Sequence, residues 1–231
     1  MLAAQTHPLF PLPAPGSWRH AAHVCGFPID PVLKDAGIVL GDSAKPIMLS
    51  SGKLLRTFSQ CVERAKGHHF PFALGEAFVF EHYAEFDQFI SSCTTLREML
   101  EVATWARELV APWMALHLDE VGVEAYLRVE MTVPDGDPAE LWHVREVALA
   151  ALYQLIKRAV KGSNWLMSVR VANTVPGHEP FYRTHFGVPV FFGESVDALV
   201  LDRRWLDQPL NAPEPEAHSQ ARRMIERRLN K

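Results

Sequence analysis

The stretch ALHLDEVGVEAYLRVEMTVPDGDPAELWHVREVALAALYQLIKRAVK, residues 115–161, decides the fold class. Its first part alternates with period two, from Ala115 to Glu120 and again from Val123 to Val133, and Gly122 marks the turn between the runs. That is the pattern of a β-hairpin. On the second run Val123, Ala125, Leu127, Val129 and Met131 share one side, and Glu124, Tyr126, Arg128 and Glu130 share the other. One side is buried and one is wet, as in an antiparallel sheet covered on a single face. Pro134-Asp135-Gly136-Asp137-Pro138 reads as a turn. From Ala139 to Lys161 the period becomes helical, and Val144, Val147, Ala148, Ala151, Leu152, Leu155, Ile156 and Ala159 form one apolar stripe. Lys157, Arg158 and Lys161 sit where cations complement the helix dipole, and Gly162 stops the helix.

Upstream of the hairpin the chain reads mainly as helix. Residues 1–19 are a proline-marked, flexible lead segment. Short helices follow at Ser17–Cys25 and, with Asp30 as N-cap and Pro31 behind it, to about Lys34. Lys53–Lys66 and Ser92–Val110 are longer helices, the second capped at Thr94 or Thr95 with Glu98 as capping-box partner. Downstream, strands are expected at Leu166–Val171, Val188–Phe192 and Ala198–Leu201, with a short helix at Pro180–His185 closed by Gly187. Pro209–Pro215 connects to a last, arginine-rich helix at Glu216–Leu229. The sum is an α+β domain over residues 20–212, with several helices on one face of a four- to five-stranded antiparallel sheet. Residues 213–231 form a linker and terminal helix.

Composition narrows the function classes. The 231 residues carry 48% hydrophobic and 22% charged side chains, ordinary values for a globular domain that buries about 70% of its unfolded surface. The apolar runs are too short to span a bilayer and no leader peptide precedes them, so a cytoplasmic protein is expected. A net charge of −4 argues against nucleic-acid binding by the chain as a whole. The three cysteines, Cys25, Cys61 and Cys93, read as reduced thiols.

Chemistry-bearing motifs are sparse. The phosphate-binding glycine loops, the G-x-S-x-G elbow and H-E-x-x-H are absent from the sequence. The His68-His69 pair could ligate a metal, but adjacent side chains point apart and no nearby Cys or Asp completes a site, so the two read as exposed loop histidines. His178 and His185 read as structural, and His82 as a buried histidine or, alternatively, a haem ligand. Arg145 and Glu146 read as a solvated first turn, with Arg145 the alternative holder of a carboxylate ligand. No metal, cofactor or catalytic set is expected, so the chain reads as no enzyme.

Four stretches together carry a resemblance: GFPIDPVL at 26–33, FALGEAFVFEHYAEFDQFISSCTTLREML at 72–100, the helix at 140–160, and YRTHFGVPVFFGESVDALVLDRRWLDQPL at 182–210. The most specific piece is Y-x-x-x-F-G-x-P-V-x-F at 182–192. There Tyr182 and Phe186 share a helical face, Gly187 reverses the chain, and Val190 and Phe192 point into the core. The chain resembles the arabinose-binding-type N-terminal domain of AraC/XylS-family transcription regulators, in the subgroup of ornithine-utilisation and virulence regulators. The resemblance implies a sensor that binds a small organic effector, forms a homodimer and controls DNA binding by a C-terminal helix-turn-helix domain. That domain needs on the order of 100 residues and would follow Lys231; the chain reads as cut at the linker or as a stand-alone sensor, so DNA binding is expected of the intact regulator alone. The arabinose regulator's own sensing domain is a jelly-roll barrel of about eight strands. Four or five strands with this much helix favour the open α+β form, similar in order to haem-nitric-oxide and vinyl-reductase sensing domains. A haem or gas sensor using His82 or His143 and a small enzyme are the alternatives.

The expected effector site is an apolar pocket between the long helix and the sheet. Ala148 leaves room on the helix, Leu127 and Val129 form the sheet wall, and Phe72, Phe80 and Tyr83 form a lid. Trp142 closes one mouth, and Arg145 or Tyr126 meets a polar end of the ligand. Ala217, Ala221, Met224, Ile225 and Leu229 are the expected dimer seam.

Overall fold

The computed structural model of the chain describes residues 9–12, 15–39, 47–80, 83–131, 141–210 and 214–230. The chain opens with strand β1 (Leu9–Leu12), helices α1 (Pro15–Val24) and α2 (Asp30–Asp35), strand β2 (Ile47–Ser50) and helix α3 (Ser51–Arg64). Four helices follow: α4 (Phe70–Glu76), α5 (Ala84–Ser92), α6 (Leu96–Met99) and α7 (Val102–Leu109). The hairpin is β3 (Met114–Val121) and β4 (Glu124–Met131), and the long helix is α8 (Trp142–Ala159). The chain then runs through β5 (Leu166–Val171), α9 (Glu179–Phe186), β6 (Val190–Phe192), β7 (Asp197–Asp202) and α10 (Pro215–Leu229).

The main sheet has the order β3-β4-β7-β5-β6 and is open at both edges, so it is not a barrel. Its pairs are antiparallel except β5 with β6, which run parallel across the α9 crossover. That parallel pair corrects the all-antiparallel expectation, and a helix between the two strands is its cause. Gly122, at φ 60°, makes the tight hairpin turn. The register puts Ala125, Leu127 and Val129 beside Leu201, Leu199 and Asp197 on the inner face. Tyr126 and Arg128 lie beside Val200 and Ala198 on the outer face, as the alternation requires.

Several expected elements are rearranged. Leu9–Leu12 lies in the expected loose lead but pairs antiparallel with Ile47–Ser50. The aromatic-rich stretch from Phe70 to Phe89 holds α4 and most of α5; Phe70 through Gly75 are all buried, and burial overrides the weak helix propensity of Phe and Gly. The expected helix at 92–110 is two short helices. Thr95 caps the first by accepting from the Glu98 N–H, and Glu98 Oε2 takes the Thr94 N–H at 2.7 Å. Asp30 is the first helical residue, not the cap, which is Ile29. The turn at 134–138 lies outside the described residues.

Two apolar clusters share α8. One joins the sheet to α5, α7, α10 and one side of α8, and the other joins α1, α2, α3 and α4 to Val144 and Val147. Helix α8 is accordingly buried beyond its one expected stripe, with Leu149 and Ala150 also fully covered. The stripe expected as a dimer seam is used internally. Ala221 and Ile225 of α10 have no exposure and Leu229 packs on the same core, while Met224 faces out. Arg228 anchors that helix on the buried Glu85, and Arg222 lies over the rings of Phe89 and Trp105.

Helices α4 and α8 approach most closely at Gly75. A Cβ there would sit 2.5 Å from Ala150 Cβ and 2.7 Å from the Val147 carbonyl oxygen. Gly75→Ala therefore forces the helices apart and is expected to cost about 1–3 kcal/mol in chemical denaturation. An unchanged midpoint would show that α4 is not held this tightly.

Candidate functional site

Two features stand out at the centre of the molecule. The first is a buried carboxylate. Glu146, early on α8, is 2% exposed and accepts from four side chains. His69 Nε2 lies 2.7 Å and His143 Nδ1 3.2 Å from Oε2. His178 Nε2 lies 2.7 Å and the Tyr182 hydroxyl 2.6 Å from Oε1. A buried ionised carboxylate is costly unless its lone pairs are filled, and four donors fill them. Burial pushes the Glu146 carboxyl up, but the hydrogen bonds from His143, His178 and His69 outweigh it and hold it well below its ordinary range. Burial lowers His69 despite its bond to Glu146. Burial and then the Glu146 charge push the Tyr182 hydroxyl up.

The two bridging histidines arrive by the same local device. HFPF at 69–72 and HEPF at 178–181 each place a histidine at a helix N-cap with proline in the first turn. The two rings stack, with centroids 4.1 Å apart and planes at 21°. Next to this group, Arg145 pairs with the buried Asp197 at 3.3 Å and donates to Asn173 Oδ1 at 2.9 Å. Burial raises the Asp197 carboxyl, and the Ala172 N–H and Arg145 oppose it.

The second feature is an apolar cavity of about 110 Å³. It lies where the two clusters meet. Leu54 and Phe58 come from α3, Val102 and Ala106 from α7, Leu116 from β3, and Val144, Val147, Ala148 and Ala151 from α8. Phe78 and Phe80 close it from the segment after α4.

Of the residues expected at the ligand, Ala148 and Phe80 line this cavity and the other seven do not. Leu127 and Val129 are packed in the sheet core, and Phe72 packs on Tyr182 and His185. Tyr83 donates to the Leu109 carbonyl at 2.8 Å, and Tyr126 donates to Glu124 on the outer face. Trp142 covers His143 and His178. Arg145 is taken by Asp197, so neither it nor Glu146 belongs to a solvated first turn. The sheet wall of the cavity is β3, not β4, because α7 tucks against β3 and moves the space to that edge. His82 lies outside the described residues, and His69 is buried where an exposed loop residue was expected. The repeated H-x-P-F was the sequence signal for the histidine group. Its meaning required knowing that the two helix starts meet.

Comparison with known proteins bears on this architecture. The arabinose-binding domain of AraC transcription regulators, N-terminal, matches residues 26–210. The chain belongs to this family. No curated protein matches it. The crystal structure of the transcriptional regulator CdpR from Pseudomonas aeruginosa superposes over 87% of this chain with a TM-score of 0.63 at 14% identity. The likeness covers 63% of that regulator's chain and shows the fold alone. As an AraC-type N-terminal domain, the chain is a ligand-sensing regulatory domain. Tyr182 of the Y-x-x-x-F-G run, which the sequence suggested only as a packing residue, also anchors Glu146. Among the described residues no helix is long and apolar enough to cross a membrane.

His185 gives this region a pH dependence. Burial, then the charges of Lys157 and His69, lower it from 6.5 to about 4, and Glu76 Oε1 lies 3.3 Å from its Nδ1. Above pH 6.5 the residue is neutral folded and unfolded, and contributes nothing. As pH falls toward 4 the unfolded chain takes up the proton first, so roughly 3 kcal/mol of stability is lost across that window. Denaturation at pH 7.5 and 4.5 should show a smaller loss in His185→Phe, which keeps the ring stack on Phe72. Equal losses would remove His185 as the cause.

Proposed function

We propose that this chain is the effector-sensing domain of an AraC-type regulator, and that a small apolar organic molecule occupies the cavity between α8, α7, α3 and β3. The observation that carries this reading is the cavity's position, at the seam between two separately packed apolar clusters. An occupant there touches both and changes how the helical layer sits on the sheet. At about 110 Å³ the space is close to an engineered cavity of roughly 150 Å³ that admits benzene, so one ring or a short acyl chain is the matching size. Its walls offer almost no polar atoms, which disfavours a sugar.

The same geometry gives a route outward. Helix α7 supplies one wall of the cavity, and α10 rests on α7 and α5. Arg222 of α10 pairs with Glu101 at 2.7 Å, just ahead of α7. A ligand that displaces α7 therefore acts on the helix nearest the C-terminal end. DNA contact is assigned to a separate helix-turn-helix domain of the intact regulator.

A thermal-shift screen of fatty acids, aromatic acids and amino acids tests the reading. A true effector at 100 times its Kd adds about 2.7 kcal/mol of apparent stability. Ala148→Phe puts a ring into the space. It should fold with a loss of at most about 1–3 kcal/mol and abolish that shift. A ligand whose shift survives Ala148→Phe binds elsewhere, and the cavity is then not the effector site.

A further inference from the structure

We propose that His69, Glu146 and His178 form a three-ligand binding site for a divalent first-row transition metal, with a fourth position open. Ligand atoms of His69, Glu146 and His178 all lie within 4.8 Å of one another, and they come from three separate elements. Imidazole and carboxylate together suit zinc and its neighbours, and two to three histidines with one acid is a common set for them.

The geometry brings the three ligand atoms near the spacing that an ion requires. Three imidazoles converge on one buried carboxylate, two of them stacked so that both Nε2 atoms meet its two oxygens at 2.7 Å. Tetrahedral ligation with bonds near 2.0–2.1 Å separates neighbouring donors by about 3.3 Å. The His69 contact to Oε2 and the His178 contact to Oε1, both 2.7 Å, open by roughly 0.6 Å and turn toward one shared oxygen to admit the ion, while His143 Nδ1 keeps its place 3.2 Å from Oε2. Coordination needs each ring proton on the nitrogen away from the ion, a tautomer change that leaves the ring charge alone. Arg145, the neighbouring cation, is turned away onto Asp197 and Asn173, so the carboxylate's charge is left for the ion.

The surroundings are those of a supported site. Tyr182 donates to Oε1 at 2.6 Å and orients the carboxylate, the support that a ligating acid needs from its neighbours. Pro71 and Pro180 fix the helix starts that carry His69 and His178. His178 is the least buried of the three histidines, with Trp142 beside it, and marks the way in.

Cobalt titration of the full, tag-free, chelator-treated chain tests this directly. One Co²⁺ per chain, with the visible bands of a four-coordinate nitrogen and oxygen site and displacement by Zn²⁺, is expected. His69→Gln and His178→Gln should each weaken Co²⁺ binding more than tenfold, and Tyr182→Phe by about tenfold. His178 lies at the rim, so His178→Gln serves if His69→Gln does not fold. Cys93, Glu98 and His218 form a second group of possible ligands, and Cys93→Ser controls for it. No Co²⁺ uptake by the wild-type chain, uptake unchanged in His178→Gln, or uptake abolished by Cys93→Ser overturns the proposal.

Discussion

The buried charge of Glu146 is the constraint around which the rest of the molecule is arranged. A carboxylate at 2% exposure persists only where donors surround it, and here they come from three helices. His69 brings the start of α4, His143 comes from α8 itself, and His178 and Tyr182 bring α9. Satisfying one acid therefore fixes the helical layer, the long helix and the β5–α9–β6 crossover relative to one another. Removing a donor would strand the others in an apolar interior. The close approach at Gly75 follows from the same requirement, since α4 must lie near enough to α8 for His69 to reach.

Helix α8 serves two cores and two kinds of chemistry. Its first turns carry the polar group, and the turns that follow carry Val147, Ala148 and Ala151 at the cavity. Small side chains there keep the two apolar clusters from closing on each other. Polar group and cavity are less than three turns apart on this one helix. Helix α10, expected as a seam for a second copy, instead completes the sheet-side core against α5 and α7.

The sequence showed β5 to the residue, and the hairpin and the long helix to within about three residues over the described part. In these segments period and burial coincide, so the local pattern is the structural cause. It failed where burial wraps around an element. Phe70–Gly75 carry no amphipathic period because every side of that helix is covered. Glu146 looked solvated for the same reason: a charge on a helix reads as exposed until four donors from distant elements surround it. Of the residues expected at the ligand, Ala148 and Phe80 line the cavity, and the strand opposite them is β3 where β4 was expected.

By itself, then, the sequence determined the α+β class, the inner and outer faces of β4 and the family to which the chain belongs, since each rests on short-range period or on motifs read in order. Tertiary structure alone decided the parallel β6, the use of α10, the cavity's edge and the meeting of two H-x-P-F segments 109 positions apart, His69 to His178. Those depend on which surfaces face each other, and no local spacing encodes a contact between elements separated by half the chain.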